Sequence, residues 1–236
     1  MTKILITRYG GGKGMGNKDM ADNTEGYLYD VFISYPHEKD HKTWVVEFFL
    51  EKFELFLTQD IGRPVKVYLD QREISPGIAW PQNIKHALGR SRVIIPVWSV
   101  NYFLSNWCKA ECCVMLHRET QLGYRTDKYP NKSLIIPVRL FDGQRYPQFA
   151  KEIECFDCTA YNVIFEDYKK TPQYYELLQK IKGWTPLVAE MIDKAPPWSA
   201  EFLTPKWLDE PIQALGVDPN FHLTNKPFEL PAMGSL

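Results

Sequence analysis

The chain has 236 residues, enough for one sizeable core or one domain with long tails. It is 44% hydrophobic and 24% charged, ordinary values for a soluble globular protein, and its formal net charge of -1 excludes a global basic field for holding nucleic acid. No apolar run approaches the ~20 residues needed to cross a bilayer. The opening run Met1 to Ile6 is too short for a signal peptide, so the expectation is a cytoplasmic protein with no membrane partner.

Five cysteines are an odd count that fits reduced thiols better than a disulfide frame. Cys155 and Cys158 form a CxxC, and Cys108, Cys112 and Cys113 cluster on one predicted helix. A tetrahedral zinc site across the two groups is conceivable in ligand type. However, the CxxC lies in a strand-like run whose alternation sends its two members to opposite faces. Buried free thiols and no metal site are the expectation.

Met1 to Tyr9 is a short β-prone run, and Gly10 to Gly16 (GGGKGMG) resembles a phosphate loop. Lys13 is followed by Gly14 rather than Ser or Thr, and no apolar-periodic helix follows, so residues 1–26 read as a flexible lead-in. Tyr29 to Tyr35 (YDVFISY) is a continuous apolar run suited to a strand buried on both faces. Asp40 is placed to cap a helix reaching about Thr58, with Val45, Phe49, Phe53 and Phe56 at helical spacing. Pro64 to Leu69 reads as a second strand. The loop Asp70 to Ala79 carries Ser75-Pro76-Gly77, with Pro-Gly in type II turn positions. A helix from Trp80 to Leu88 puts Trp80, Ile84 and Leu88 on one face. Arg92 to Ser99 is a third strand, and Ser105 is placed to cap a helix through about His117. Ser133 to Leu140 and Ile153 to Thr159 are a fourth and a fifth strand, and Tyr174 to Met191 is the last strong helix. Ala195 to Leu236 holds seven of the chain's 17 prolines and reads as an irregular strap fading into disorder. The expected organisation is a domain over residues 27–192 with a proline-rich extension over 193–236.

Strands alternating with helices predict a parallel sheet covered on both sides, with ligands beyond the carboxyl ends of its strands. The loops after Tyr35, Leu69 and Ser99 share that end. Together they gather Tyr35, Pro36, His37, Arg72, Ser105, Trp107 and Glu111 at one rim.

These motifs resemble a Toll/interleukin-receptor (TIR) domain. YDVFISY is similar to the family's first strand, and Arg72 to Gly77 (REISPG) to its loop after the second strand, with Glu73 where Asp is usual. Ser91-Arg92-VIIPVWS is similar to the third strand, and Ser105 to Glu111 (SNWCKAE) to the S-x-W-C-x-x-E segment of plant and bacterial members. The Phe-Trp pair of animal adaptors is not evident. The resemblance implies a flavodoxin-like α/β fold with five parallel strands. It also implies cleavage of NAD+ at the nicotinamide–ribose bond, with Glu111 as the catalytic carboxylate and NAD+ as substrate rather than cofactor. Tyr35, Pro36, His37, Arg72, Trp80, Ser105 and Trp107 are then expected to line the substrate. Ser75, Pro76 and Gly77 would form a mobile lid that also touches a neighbouring subunit. Self-association and a separately encoded sensor or effector are the implied partners, and prokaryotic immune defence or an effector role the implied setting.

One carboxylate suffices for that chemistry. Nicotinamide leaves as a neutral group, so only an oxocarbenium-like ribosyl centre needs stabilising. Two other readings compete: a non-catalytic scaffold that recruits other TIR domains, and a ribosyl-transferring enzyme of similar topology acting on other nucleosides.

Overall fold

The computed structural model describes residues 26–69 and 82–214. The glycine-rich start, the loop carrying Arg72, Ser75, Pro76, Gly77 and Trp80, and the chain from 215 onward lie outside the described residues.

Five strands form one parallel sheet: β1 Tyr29–Ser34, β2 Val67–Leu69, β3 Ser91–Trp98, β4 Val138–Arg139 and β5 Phe156–Asp157. Their spatial order is β2-β1-β3-β4-β5, the doubly wound order that reverses direction between β1 and β3. The described helices are α1 Lys39–Thr43, α2 Leu50–Ile61, α3 Gln82–Gly89, α4 Val100–Leu104, α5 Asn106–Leu122, α6 Gln148–Glu152, α7 Pro172–Asp193, α8 Pro205–Leu208 and α9 Glu210–Ala214.

Strand alternation divides the core in two. Val31, Ile33 and Tyr35 of the first strand run, with Val93, Ile95 and Val97 of β3, face one layer with Phe49, Phe53 and Trp184. Phe32 of β1, with Ile94 and Trp98 of β3, faces the opposite layer with Ile84, Leu88, Cys108 and Cys112. The CxxC obeys the same rule: Cys158 is buried in the first layer, and Cys155 packs against the second.

Three local expectations are corrected. Glu38, not Asp40, occupies the cap position of the first helix, and Asp40 lies within its first turn. That helix is also not regular, because Trp44–Phe49 is a π-helical stretch between α1 and α2. The wider turn changes the stripe, so Trp44, Phe48 and Leu57 are buried while Phe56 is only partly so. The fourth strand is much shorter than Ser133 to Leu140. Ile94 donates its N–H to Leu134 O and accepts from Ile136 N, at 2.8 and 3.0 Å. The next donor in that ladder would be Pro96, which has no N–H, so regular pairing resumes only at Val97–Val138.

The described part of the C-terminal strap is more ordered than expected. It contains a 3₁₀ turn, Ala200–Leu203, followed by α8 and α9. Phe202, Trp207, Leu208 and Ile212 are buried. Three guanidinium–aromatic stacks fasten this end of the molecule: Arg118 against Phe202 at 4.2 Å, Arg90 against Trp198 at 4.7 Å and Arg92 against Tyr27 at 4.7 Å. Arg118 is fully buried, donates to Ser91 O, and is lowered by desolvation to about 10.

The strap touches α3 at Gly89. A Cβ there would fall 2.6 Å from Leu203 Cδ2 and 2.8 Å from the Phe202 carbonyl oxygen. A leucine tip can turn aside, but a backbone carbonyl moves only with its chain. Gly89→Ala is therefore expected to destabilise the protein by about 1–3 kcal/mol, read as a lower urea midpoint at unchanged slope. An unchanged midpoint would mean that the strap does not pack this closely.

Candidate active site

The carboxyl ends of β1 and β3 flank the point where strand order reverses, the usual ligand position in such sheets. β1 ends at Ser34. Its parity matches Phe32, so its hydroxyl emerges on the α5 side, while Tyr35 turns into the opposite core layer.

Across from Ser34, two capped helices follow β3, α4 of five residues and α5 of 17. Ser99 caps α4, its Oγ accepting from Tyr102 N at 3.1 Å. Ser105 caps α5, its Oγ accepting from Cys108 N at 3.3 Å. These caps fix where α5 starts and hence where Glu111, in its second turn, points.

Glu111 is 6% exposed. Its Oε2 accepts from Ser34 Oγ at 2.5 Å. Ser34 Oγ also lies 2.9 Å from the Tyr102 hydroxyl, which donates to Cys108 O at 3.0 Å. One chain of oxygens thus runs from the carboxyl through β1 to α4 and back to the helix that carries the carboxyl. Burial pushes the Tyr102 phenol and the Cys108 thiol well above their ordinary values, with the Glu111 carboxyl adding to both shifts. Both groups remain neutral at physiological pH.

The neighbouring residue Asn101 donates its side-chain amide to Glu38 Oε2 at 2.5 Å. The same Glu38 oxygen stands 3.5 Å from His41 Nδ1. His41 is buried, and desolvation lowers its pKa against the raising pull of Glu38 and Asp40. Consecutive residues of α4 therefore bind β1 and the loop after it, joining the two sides of the reversal point.

The sequence-predicted residues fall into distinct positions. Glu111 lies at the reversal point. Trp107, one turn earlier on α5, is half-buried against the second core layer. Tyr35 is a core residue with its ring 5.1 Å from that of His37, and Pro36 is buried beside it. His37 is half-buried on the loop after β1. The Ser105 hydroxyl serves the backbone as a cap. Arg72, Trp80, Ser75, Pro76 and Gly77 are outside the described residues, although Leu69, where β2 stops before them, is at the same sheet end.

Ser34 and Tyr102 were not singled out from the sequence. The signal for Ser34 was available: it is a hydroxyl in an otherwise apolar strand end, on the face toward α5. Tyr102 carried no such signal, because its short helix was not foreseen. Among the described residues no cluster of three or more His, Cys, Asp or Glu side chains is placed to hold a metal ion. The five cysteines are free thiols.

A family model described as TIR domain matches residues 31–170, well over half of the chain. Toll-like receptor 13 of Mus musculus is 30% identical over 120 residues, covering 51% of this chain and 11% of the receptor. Toll-like receptor 2 of Canis lupus familiaris is 35% identical over 83 residues, covering 35% of this chain and 10% of the receptor. The chain thus spans about a tenth of the length of these curated relatives. Among solved structures, the TIR domain of the Toll-related receptor TRR-2 from Hydra magnipapillata aligns at 22% identity and a TM-score of 0.35, covering 65% of this chain and 98% of that one. The TIR domains of the activated Roq1 resistosome, which recognises the pathogen effector XopQ, align at 19% identity and a TM-score of 0.33, covering 70% and 84%.

Ser34→Ala removes a donor from a buried carboxyl and is expected to cost about 1–3 kcal/mol of stability, measured by urea denaturation at neutral pH. A loss below about 0.5 kcal/mol, the scatter of surface substitutions, would show that the Ser34–Glu111 contact is not formed in solution.

Proposed function

The chain belongs to the TIR domain family, and we propose that it is an NAD+ nucleosidase in which Glu111 stabilises the ribosyl cation formed as nicotinamide departs. The observation that carries this reading is the 2.5 Å contact between Ser34 Oγ and Glu111 Oε2, which fixes a carboxyl at the sheet's reversal point. A surface carboxylate on a helix would have no reason to be anchored to a strand end.

The bond between ribose C1′ and the pyridinium nitrogen breaks with both electrons going to nitrogen, so nicotinamide leaves neutral and needs no acid. Positive charge then develops at C1′ and the ring oxygen. An ionised Glu111, held by a strand and two capped helices, meets that charge without reorganising, and its burial makes the attraction stronger than in water. Water adds to C1′ and gives up a proton, yielding ADP-ribose; attack by an adenine nitrogen instead closes a ring. Trp107, one turn from Glu111, supplies a face for stacking the nicotinamide. His37 and Pro36, on the loop after β1, and Arg72, on the loop after β2, are assigned to ribose and diphosphate. Trp80 is assigned to the adenine. Ser75, Pro76 and Gly77 are assigned to a lid that contacts a neighbouring copy, so turnover depends on self-association and on a separate protein that promotes it. An immune or effector setting is part of the same proposal.

The test is nicotinamide release from NAD+ over a range of protein concentrations, with products separated by chromatography. Release per chain should rise with concentration. Glu111→Gln should lower kcat by about 10²–10³ while the protein remains folded. Trp107→Ala should raise KM about tenfold, the scale of one lost base-stacking contact. No nicotinamide at any concentration would leave the scaffold reading in place, and full turnover by Glu111→Gln would remove Glu111 from the chemistry.

A further inference from the structure

Glu111 is covered in this structure. It is 6% exposed, Ser34 beside it 1%, and Cys108 on the preceding turn 3%. A carboxyl that meets a soluble ligand has to be reached by it, so the cover has to open. The contacts between the two chain segments that leave the sheet at its reversal point show where.

The end of β1 and the loop after it are joined to α4 at two depths. The inner contact, between Ser34 Oγ and the Tyr102 hydroxyl at 2.9 Å, is buried. The outer contact, Asn101 Nδ2 donating to Glu38 Oε2 at 2.5 Å, is exposed. Glu38 lies beyond the end of β1 and Asn101 beyond the end of β3, so this bond crosses the crevice farther from the sheet than the carboxyl does. It is also the easier of the two to break. The Glu38 side chain is 57% exposed, and water replaces Asn101 as its donor at small cost. His41 Nδ1 stands 3.5 Å from the same Glu38 oxygen, but desolvation lowers the His41 pKa, so at neutral pH the ring brings Glu38 no charge. Asn101 therefore decides whether Glu38 lies across the crevice.

We propose that Glu38 and Asn101 form a latch across the mouth of the crevice, closed in the resting protein, and that its opening admits the ligand to Glu111. The ligand's identity as NAD+ rests on the reading above; the latch does not. A ligand that enters only the open form binds with its affinity reduced by the fraction of molecules open, so a weaker latch gives tighter apparent binding.

Asn101→Ala removes the donor and leaves the charge at the mouth unchanged. Glu38→Ala removes the acceptor instead; Glu38 makes no capping bond to α1, so the helix start is kept. The double variant Glu38→Gln with Asn101→Asp exchanges donor and acceptor across the same contact at the same total charge. Opening is read without ligand, in the full chain, as the rate at which N-ethylmaleimide labels Cys108, whose thiol lies near Ser34, Ser105 and Glu111. Trypsin cuts at Lys109 and so separates Cys108 from Cys112 for mass spectrometry. Cys158, 0% exposed in the opposite core layer, is the control for global unfolding. Expected in either single variant is labelling of Cys108 about three to ten times faster, the scale of one hydrogen bond to a charged group, with Cys158 unchanged and wild-type rates in the exchanged pair. With NAD+, the KM of Asn101→Ala should fall by the same factor while kcat stays within about twofold.

Unchanged labelling of Cys108, equal acceleration of Cys108 and Cys158, or an exchanged pair that labels as fast as Asn101→Ala overturns the latch. The two readouts also separate it from the NAD+ reading. Selective labelling of Cys108 in a protein that releases no nicotinamide keeps the latch and removes NAD+ as its ligand. Nicotinamide release with KM unchanged in Asn101→Ala keeps the enzyme and removes the latch as its gate.

Discussion

The site depends on a hydrogen bond between a strand and a helix, from Ser34 to Glu111. A glutamate on a solvated helix samples many rotamers, and its charge is damped by water. Tied to the last residue of β1, the same side chain has one position and little competing solvent. Its location at the reversal of strand order follows from topology, since β1 and β3 are adjacent in the sheet and their following connections leave on opposite faces. The anchor lets that topological property act on one functional group.

The surrounding elements serve to keep that bond in register. Ser99 and Ser105 begin α4 and α5 in quick succession, so the chain turns sharply after β3 and brings α5 back over β1. Tyr102 then closes the loop by touching both Ser34 and the Cys108 carbonyl. At its far end α5 is held again: Glu119 accepts from Ile135 N and the Ser133 hydroxyl and pairs with Arg125. A helix pinned at both ends transmits little of its neighbours' motion to the residue between them.

Much of this was legible in the residues. The apolar runs YDVFISY and VIIPVW announced buried parallel strands. The Ser105 cap and the Trp107–Glu111 spacing announced the helix that carries the carboxyl. What stayed hidden has physical causes. The π-helical stretch at Trp44–Phe49 breaks the 3.6-residue period that any helical stripe assumes. The short fourth strand follows from two prolines, Pro96 on its neighbour and Pro137 in its own run, neither of which has an N–H for a ladder. Ser34 was passed over because a strand read as buried on both faces assigns no role to one polar side chain. Tyr102 was missed because its partners lie 68 residues back and six ahead in the chain. Spacing patterns carry no information about such closure.

The strap has one further implication. The Tyr27 hydroxyl donates to the Pro196 carbonyl at 2.9 Å, a contact between residues 169 positions apart. The chain thus returns to within a hydrogen bond of where β1 is about to begin, at the amino ends of the strands and away from Glu111. Tyr27 and Pro196 both lie outside residues 31–170, so the stitch between them extends the folded unit past the stretch that defines its family.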